Sequence, residues 1–97
     1  IMIKSFKDQE LEDFYFHGTT ARGIPKAIEG ALRRTLDIVH AAEAENDLKV
    51  PPGNRFEHLS GKLNDRCSIR VNRKYRLIFK WDDGEAIDLY LDPHEYK

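Results

Sequence analysis

The feature that most constrains the fold is a change of hydrophobic period in the C-terminal half of the chain. Between residues 69 and 92, apolar side chains such as Leu77 and Leu89 occupy mainly odd positions, and polar ones such as Arg76 mainly even positions. Because successive side chains of a strand point to opposite faces, this alternation predicts three strands with one apolar and one polar face. Ile78 is an exception on the polar face.

The N-terminal half has the period of amphipathic helices. Asp8 is a suitable N-cap and Gly18 a suitable stop for a first helix. A second helix is expected to start near Pro25 and to run to about Ala44, with apolar residues at three- and four-residue spacing. Met2 to Phe6 is expected to form a short strand. The pattern as a whole predicts an α+β fold.

Two short polar segments between the C-terminal strands are expected to be hairpin loops. Residues 72–74 and 82–84 each fit a three-residue loop, with Gly84 at the left-handed position. Loops of this length keep the alternation of faces in register. They place Arg70 directly opposite Arg76, and Arg76 opposite Tyr90.

The Arg70–Arg76 pair is informative because like charges directly across a ladder destabilise a sheet. A bound phosphate would convert that repulsion into bidentate recognition. Tyr90 beside Arg76 would offer an aromatic ring on which a base could stack. The alternative interpretation is that both arginines extend separately into water.

Charge is unevenly distributed along the chain, although the net charge is only −1. Residues 54–80 carry eight Lys or Arg and two Asp or Glu, a net charge of +6. The segments before and after it are acidic, with net charges of −2 and −5. Such a basic segment can attract a polyanion, or it can be an ordinary solvated surface balanced by nearby acids.

The length of 97 residues suits a single domain, expected over residues 2–97. We interpret Ile1, which precedes Met2, as a remnant of cloning. One cysteine, Cys67, is compatible with the cytoplasm and is expected to be a buried, inert thiol. The sequence shows neither a membrane-spanning run nor a secretory signal.

The four histidines are not spaced as metal ligands, so neither a metal nor another cofactor is expected. His17 and His40 lie near predicted helix ends and are interpreted as structural. His94 follows Asp92 closely, and a histidine flanked by a carboxylate near an arginine pair is a candidate for acid–base chemistry. If RNA is the substrate, no metal is required, because its 2′-hydroxyl can attack the adjacent phosphate.

Several segments resemble the HigB branch of the RelE/ParE toxin superfamily. They are Pro-Pro-Gly-Asn-Arg from Pro51, Ser-Ile-Arg-Val-Asn-Arg-Lys-Tyr-Arg-Leu-Ile-Phe from Ser68, the opening Met-Ile-Lys-Ser-Phe from Met2, and the closing Leu-Asp-Pro-His-Glu-Tyr from Leu91. The resemblance covers nearly the whole chain. It implies two N-terminal helices packed on one face of a small, mostly antiparallel twisted sheet, in the order β-α-α-β-β-β.

The resemblance also implies a function. Members are toxins of type II toxin–antitoxin pairs, and HigB-like members are metal-independent endoribonucleases that enter the ribosomal A site and cleave mRNA under translation. Their partner is a helix-turn-helix antitoxin of the HigA type, which binds the operon DNA. Two alternatives stay open: a ParE-like toxin that acts on DNA gyrase, and a non-catalytic module that only binds its antitoxin.

Carried over to this sequence, the resemblance implies catalytic roles for Arg70, Arg76, Asp92 and His94. Pro93 stands where the family's Asp-Tyr-His ending has tyrosine. His58 is displaced by one place relative to some relatives, and in a strand one place turns a side chain to the opposite face. The residues expected to bind RNA are Arg55, His58, Lys62, Arg66, Asn72, Arg73, Lys74, Tyr90 and Tyr96.

Overall fold

A computed structural model describes residues 3–93. Two helices and a four-stranded antiparallel sheet share one hydrophobic core, which confirms the α+β prediction. The elements in chain order are α1 (Gln9–His17), α2 (Glu29–Ala41), β1 (Glu57–His58), β2 (Cys67–Arg70), β3 (Tyr75–Asp82) and β4 (Glu85–Pro93). The spatial order of the strands is β1-β2-β3-β4, so each strand lies beside its neighbour in sequence.

The first helix has the predicted caps. The Asp8 carboxylate accepts hydrogen bonds from the backbone N–H groups of Glu10 and Leu11. At the other end, Gly18 has a φ of 68°, a left-handed conformation that a glycine adopts without steric cost. The helix buries Leu11 and Phe14 against the sheet.

The second helix is shorter than predicted at both ends. A single 3₁₀ turn, Lys26–Ile28, follows Pro25, and regular α-helix begins only at Glu29. The helix ends at Ala41 rather than near Ala44. The physical reason is local: the Asp47 carboxylate accepts the N–H groups of residues 43 and 44, which gives this backbone an alternative to the helix.

The predicted N-terminal strand is reduced to two isolated bridges. Ile3 pairs with Ala86 and Phe6 with Leu89, both in parallel orientation, so the segment lies beside β4. His40 Nδ1 accepts a hydrogen bond from the Ile3 N–H at 3.4 Å, which gives this histidine the structural role expected for it. Met2 lies outside the described residues.

The core lies between the helices and the odd-numbered face of the central strands. Burial of this apolar surface is the main force that holds the helices on the sheet. Its largest fully buried side chains include Leu11, Leu32, Leu36, Val39, Leu48, Ile69, Leu77, Phe79 and Leu89. Cys67 is also buried, as predicted, and its pKa is raised to about 12 because burial disfavours the thiolate, with a smaller effect of the Glu45 charge.

The first C-terminal hairpin has the predicted register and the second does not. Arg70 lies opposite Arg76 across the three-residue loop. The second loop has two residues, Asp83 and Gly84, whose φ values of 49° and 81° are those of a type I′ turn. The predicted three-residue loop at 82–84 is therefore wrong.

β4 also contains a β-bulge. Ile78 faces Tyr90 and Lys80 faces Ile87, so two residues of β4 stand against Phe79 alone, and one of them, Asp88, has a φ of 55°. The shorter loop and the bulge each shift β4 by one place. As a result Arg76 faces Asp92, not Tyr90.

Candidate functional site

A groove with a volume of about 220 Å³ lies at the end of the sheet where the loop between β2 and β3 meets the segment before β1. Its lining is strongly basic, and within residues 3–93 it contains a single carboxylate. The lining residues are Arg55, Glu57, Ser68, Arg70, Asn72, Arg73, Lys74, Tyr75 and Arg76. Five cations around one concavity form a site suited to a phosphate group.

Arg70 and Arg76 lie side by side on the groove face of β2 and β3. Each guanidinium is held by its Nε: that of Arg70 donates to the Asn72 carbonyl at 3.1 Å, and that of Arg76 to Asp92 Oδ2 at 3.1 Å. Within the described chain, the terminal nitrogens of both side chains make no hydrogen bond. Both forks are therefore oriented and still able to donate to an anion.

Asp92 lies on the polar face of the sheet, as the alternation predicted, and the shift of β4 brings it directly opposite Arg76. Its carboxylate forms an ion pair with Arg76, and the two side chains are 31% and 23% exposed. Asp92 is thus a positioning group for an arginine of the groove. His94 and Tyr96 lie outside the described residues.

The loop that carries Arg73 and Lys74 is shaped by Asn72. The Asn72 Oδ1 accepts the backbone N–H groups of Lys74 at 2.9 Å and Tyr75 at 2.8 Å. A side chain that satisfies two amides in this way fixes a turn. Asn72 lines the groove, as expected for an RNA-binding residue, but its oxygen is already engaged by the loop.

The opposite wall of the groove is held by Asn54, which is buried. Its side-chain amide donates to the carbonyls of Val50 at 2.9 Å and Leu48 at 3.3 Å. These bonds fasten the Pro-Pro-Gly segment to the core, and Arg55 follows with a left-handed φ of 47°. Asn54 therefore positions a groove cation without contacting the groove's contents.

Replacing Asn54 by alanine leaves two carbonyls without their partner. We expect Asn54→Ala to lower the free energy of unfolding by about 1–3 kcal/mol and to weaken any activity that needs Arg55. Urea unfolding followed by circular dichroism measures the first effect. Asn64→Ala, at an exposed asparagine, is the matched control. Equal stability of the two variants would contradict this account of the groove wall.

Four predicted RNA-binding residues do not line the groove. His58 lies opposite Cys67, and its Nε2 is 2.9 Å from Glu45 Oε1. Lys62 is exposed on a separate turn, Gly61–Leu63. The remaining two, Arg66 and Tyr90, contact one another.

Tyr90 faces Ile78, and its ring lies 4.9 Å from the Lys7 ammonium and 5.8 Å from the Arg66 guanidinium. The predicted register of Tyr90 directly opposite Arg76 is therefore wrong, because the shorter loop and the bulge place Tyr90 opposite Ile78. Tyr90 is instead a diagonal neighbour of Arg76 on the same face of the sheet. Arg66 itself is only 16% exposed, and its Nη1 is buried without a hydrogen-bond partner in the described residues.

Glu57 is a groove residue that the sequence analysis did not single out. It lies opposite Ser68, whereas His58 lies opposite Cys67, so the two neighbours point to opposite faces of the sheet. The displacement of the histidine by one place thus puts a carboxylate in the groove and the imidazole outside it. In the sequence, the displacement of His58 by one place was the one sign that Glu57 lies in the groove.

Neither a metal centre nor a membrane span is found in the described part of the chain. Between residues 3 and 93, no group of three His, Cys, Asp or Glu side chains is placed to hold a metal ion. No helix there is long and apolar enough to cross a membrane. The groove is thus built from organic cations, one carboxylate and neutral polar groups.

Two helices packed on a small antiparallel sheet are consistent with the fold of RelE-like toxins. A family profile described as "RelE-like toxin of type II toxin-antitoxin system HigB" matches residues 4–94. The chain is 59% identical over 95 residues to Toxin HigB-1 of Vibrio cholerae, covering 98% of this chain and all of the relative. It is 47% identical over 91 residues to an uncharacterized protein of Haemophilus influenzae, covering 94% of this chain and 90% of that protein.

The chain therefore belongs to the HigB-like family of RelE-like toxins of type II toxin–antitoxin systems. This confirms the resemblance found in the sequence. A toxin of this class has an antitoxin as its partner.

Proposed function

We propose that this chain is a ribosome-dependent endonuclease that cleaves mRNA under translation and so inhibits growth. The observation that carries the proposal is the Arg70–Arg76 pair, held by its two Nε atoms with the terminal nitrogens available at one groove. Two arginines in direct opposition repel one another, and the Asp92 carboxylate is paired with Arg76 alone, so the pair still favours a bound anion that both can contact. A phosphodiester is the anion that family membership suggests.

The proposed chemistry uses groups of the RNA and of this chain alone. The 2′-hydroxyl attacks the adjacent phosphorus, and Arg70 and Arg76 stabilise the negative charge that develops on the phosphoryl oxygens. Asp92 keeps Arg76 in place. His94 supplies a proton to the departing 5′-oxygen, as general acids do.

Around this centre, we propose that Arg55, Arg73 and Lys74 bind the phosphates that flank the cleaved one, and that Lys62 contacts ribosomal RNA. Tyr96 is the candidate for stacking on a base. The ribosomal A site places the protein in the cytoplasm. The proposed antitoxin is a helix-turn-helix protein of the HigA type, through which the pair binds DNA.

The test is cleavage of a reporter mRNA in a translation extract to which the purified protein is added. Primer extension is expected to show discrete breaks inside translated codons, and blocking initiation is expected to remove them. Intact mRNA with broken DNA in the presence of gyrase would favour a ParE-like toxin. Intact mRNA and intact DNA would favour a module that only binds its antitoxin, and either result would overturn the proposal.

A further inference from the structure

The carboxylate of Glu57 has no role in holding the fold. It is exposed, and it makes no hydrogen bond or ion pair with any other residue between 3 and 93. The other acid close to the groove, Asp92, is committed to Arg76. Among the described residues, Glu57 therefore contributes to the groove a carboxylate that is not committed to any cation.

The register places Glu57 close to where a bound phosphate would lie. Its partner across the ladder is Ser68. Arg70 follows two positions after Ser68 on the same strand, so its side chain emerges on the same face. Glu57 is therefore a diagonal neighbour of Arg70, at a distance that long side chains bridge.

His58, the more obvious base in the sequence, cannot take this place. Its partner across the ladder, Cys67, has a buried thiol that donates to the carbonyl of Phe79. The imidazole is on that side of the sheet, in contact with Glu45. Among the residues that the structure describes, the groove holds no imidazole.

We propose that Glu57 is a catalytic residue, the proton acceptor for the attacking 2′-hydroxyl. This inference rests on the proposed function. The Glu57 carboxylate takes the 2′-hydroxyl proton as the new oxygen–phosphorus bond forms. The bond from phosphorus to the 5′-oxygen breaks, and that oxygen takes a proton from His94. The products are a 2′,3′-cyclic phosphate and a 5′-hydroxyl.

Apart from Tyr75, the charged and titratable groups that face Glu57 across the groove are cations, which can hold the RNA backbone. Guanidinium and ammonium groups have only hydrogen-bond donors, so they cannot accept the proton themselves. The charged and titratable groups around Glu57 are Arg55, Arg70, Arg73, Lys74, Tyr75 and Arg76.

The test compares three variants in the translation extract. Glu57→Gln keeps the size of the side chain and removes the base, so the rate of cleavage at saturating protein is expected to fall by about 10²–10⁴-fold. Glu85→Gln, at a carboxylate that pairs with Lys4 outside the groove, is the control. Binding to ribosomes programmed with mRNA that has a 2′-deoxynucleotide at the cleavage site is expected to be unchanged in both.

Glu57→His supplies a second, independent readout. An imidazole can accept the same proton, so this variant is expected to recover cleavage at pH 8. Because a free imidazole takes up a proton near about pH 6.5, the cleavage rate of this variant is expected to fall below that pH relative to the wild-type rate at the same pH. A merely structural role for Glu57 would not produce that pH profile.

The outcomes separate this inference from the function on which it rests. Cleavage by the wild type with an equally active Glu57→Gln variant would overturn the role of Glu57 and leave the endonuclease intact. Absence of cleavage by the wild type would overturn the endonuclease itself. Loss of ribosome binding by Glu57→Gln would assign Glu57 to binding and also contradict the proposal.

Discussion

Replacing Arg76 by alanine is expected to reduce mRNA cleavage by about 10²–10³-fold, the cost of removing one preorganised donor to a developing anion. The side chain lies on the groove face, and its Nε donates a hydrogen bond to Asp92. Growth inhibition in cells that express the variant is expected to disappear with the cleavage. Primer extension on a reporter mRNA and colony counts after induction measure the two effects.

The matched control is Arg34→Ala, which removes an arginine from the exposed face of α2. It is expected to retain wild-type cleavage and toxicity. Circular dichroism establishes that both variants are folded. Arg76→Lys is expected to fall between them, because an ammonium cannot form the bidentate fork of a guanidinium. Full toxicity of a folded Arg76→Ala variant would refute the assignment.

The second prediction with a large effect is that Arg70→Glu raises the stability of the protein and removes its activity. Arg70→Glu places a carboxylate directly across the ladder from Arg76. A repulsive pair becomes an attractive one, and such pairs are worth about 0.2–1 kcal/mol. The hydrogen bond from Arg70 Nε to the Asn72 carbonyl is lost, but that loop is partly exposed and water replaces the donor. The variant is expected to be more stable and inactive.

Thermal unfolding measures the stability change, and for a domain of this size 1 kcal/mol corresponds to about 4–8 °C in Tm. Arg70→Gln removes the repulsion without adding attraction, so its Tm is expected to lie between those of the wild type and Arg70→Glu. Cleavage should be lost in both. An Arg70→Glu variant that melts below the wild type would show that the two arginines do not strain the sheet, and would contradict a bound anion as the reason for their pairing.

Much of the fold follows from local pattern. The first helix was predicted with its caps because Asp8 and Gly18 act within one turn of it. The Arg70–Arg76 pairing was predicted because a loop of three residues fixes the register of the strands on either side. In both cases the determining contacts are close in sequence.

The errors in the predicted register of β4 arose where two turn types fit the local sequence equally well, or where the determining contact is distant in sequence. Asp82-Asp83-Gly84 fits a loop of two or of three residues, and the alternation pattern of β4 conceals a bulge that compensates for the shorter loop. Asp88, the residue with positive φ in that bulge, donates its N–H to Ser5 Oγ, a partner 83 residues away. The position of Tyr90 could not be predicted without that contact.

The role of Glu57 was missed for a related reason. β1 has only two residues, Glu57 and His58, which are too few to show alternation. The strand it pairs with, β2, begins nine residues after His58. Nothing local determines which of the two side chains faces the groove. The basic character of the groove, in contrast, was predicted from composition, since every cation that lines it belongs to the segment 54–80.

The most direct test of the central claim is a double-mutant cycle on the rate of mRNA cleavage, with Arg70→Ala, Arg76→Ala and the double variant. If both guanidinium groups hold one phosphate, the first substitution already disables the site, and the double variant is expected to be hardly slower than either single one. Independent losses that multiply in the double variant would contradict a shared anion and assign the two arginines to separate tasks.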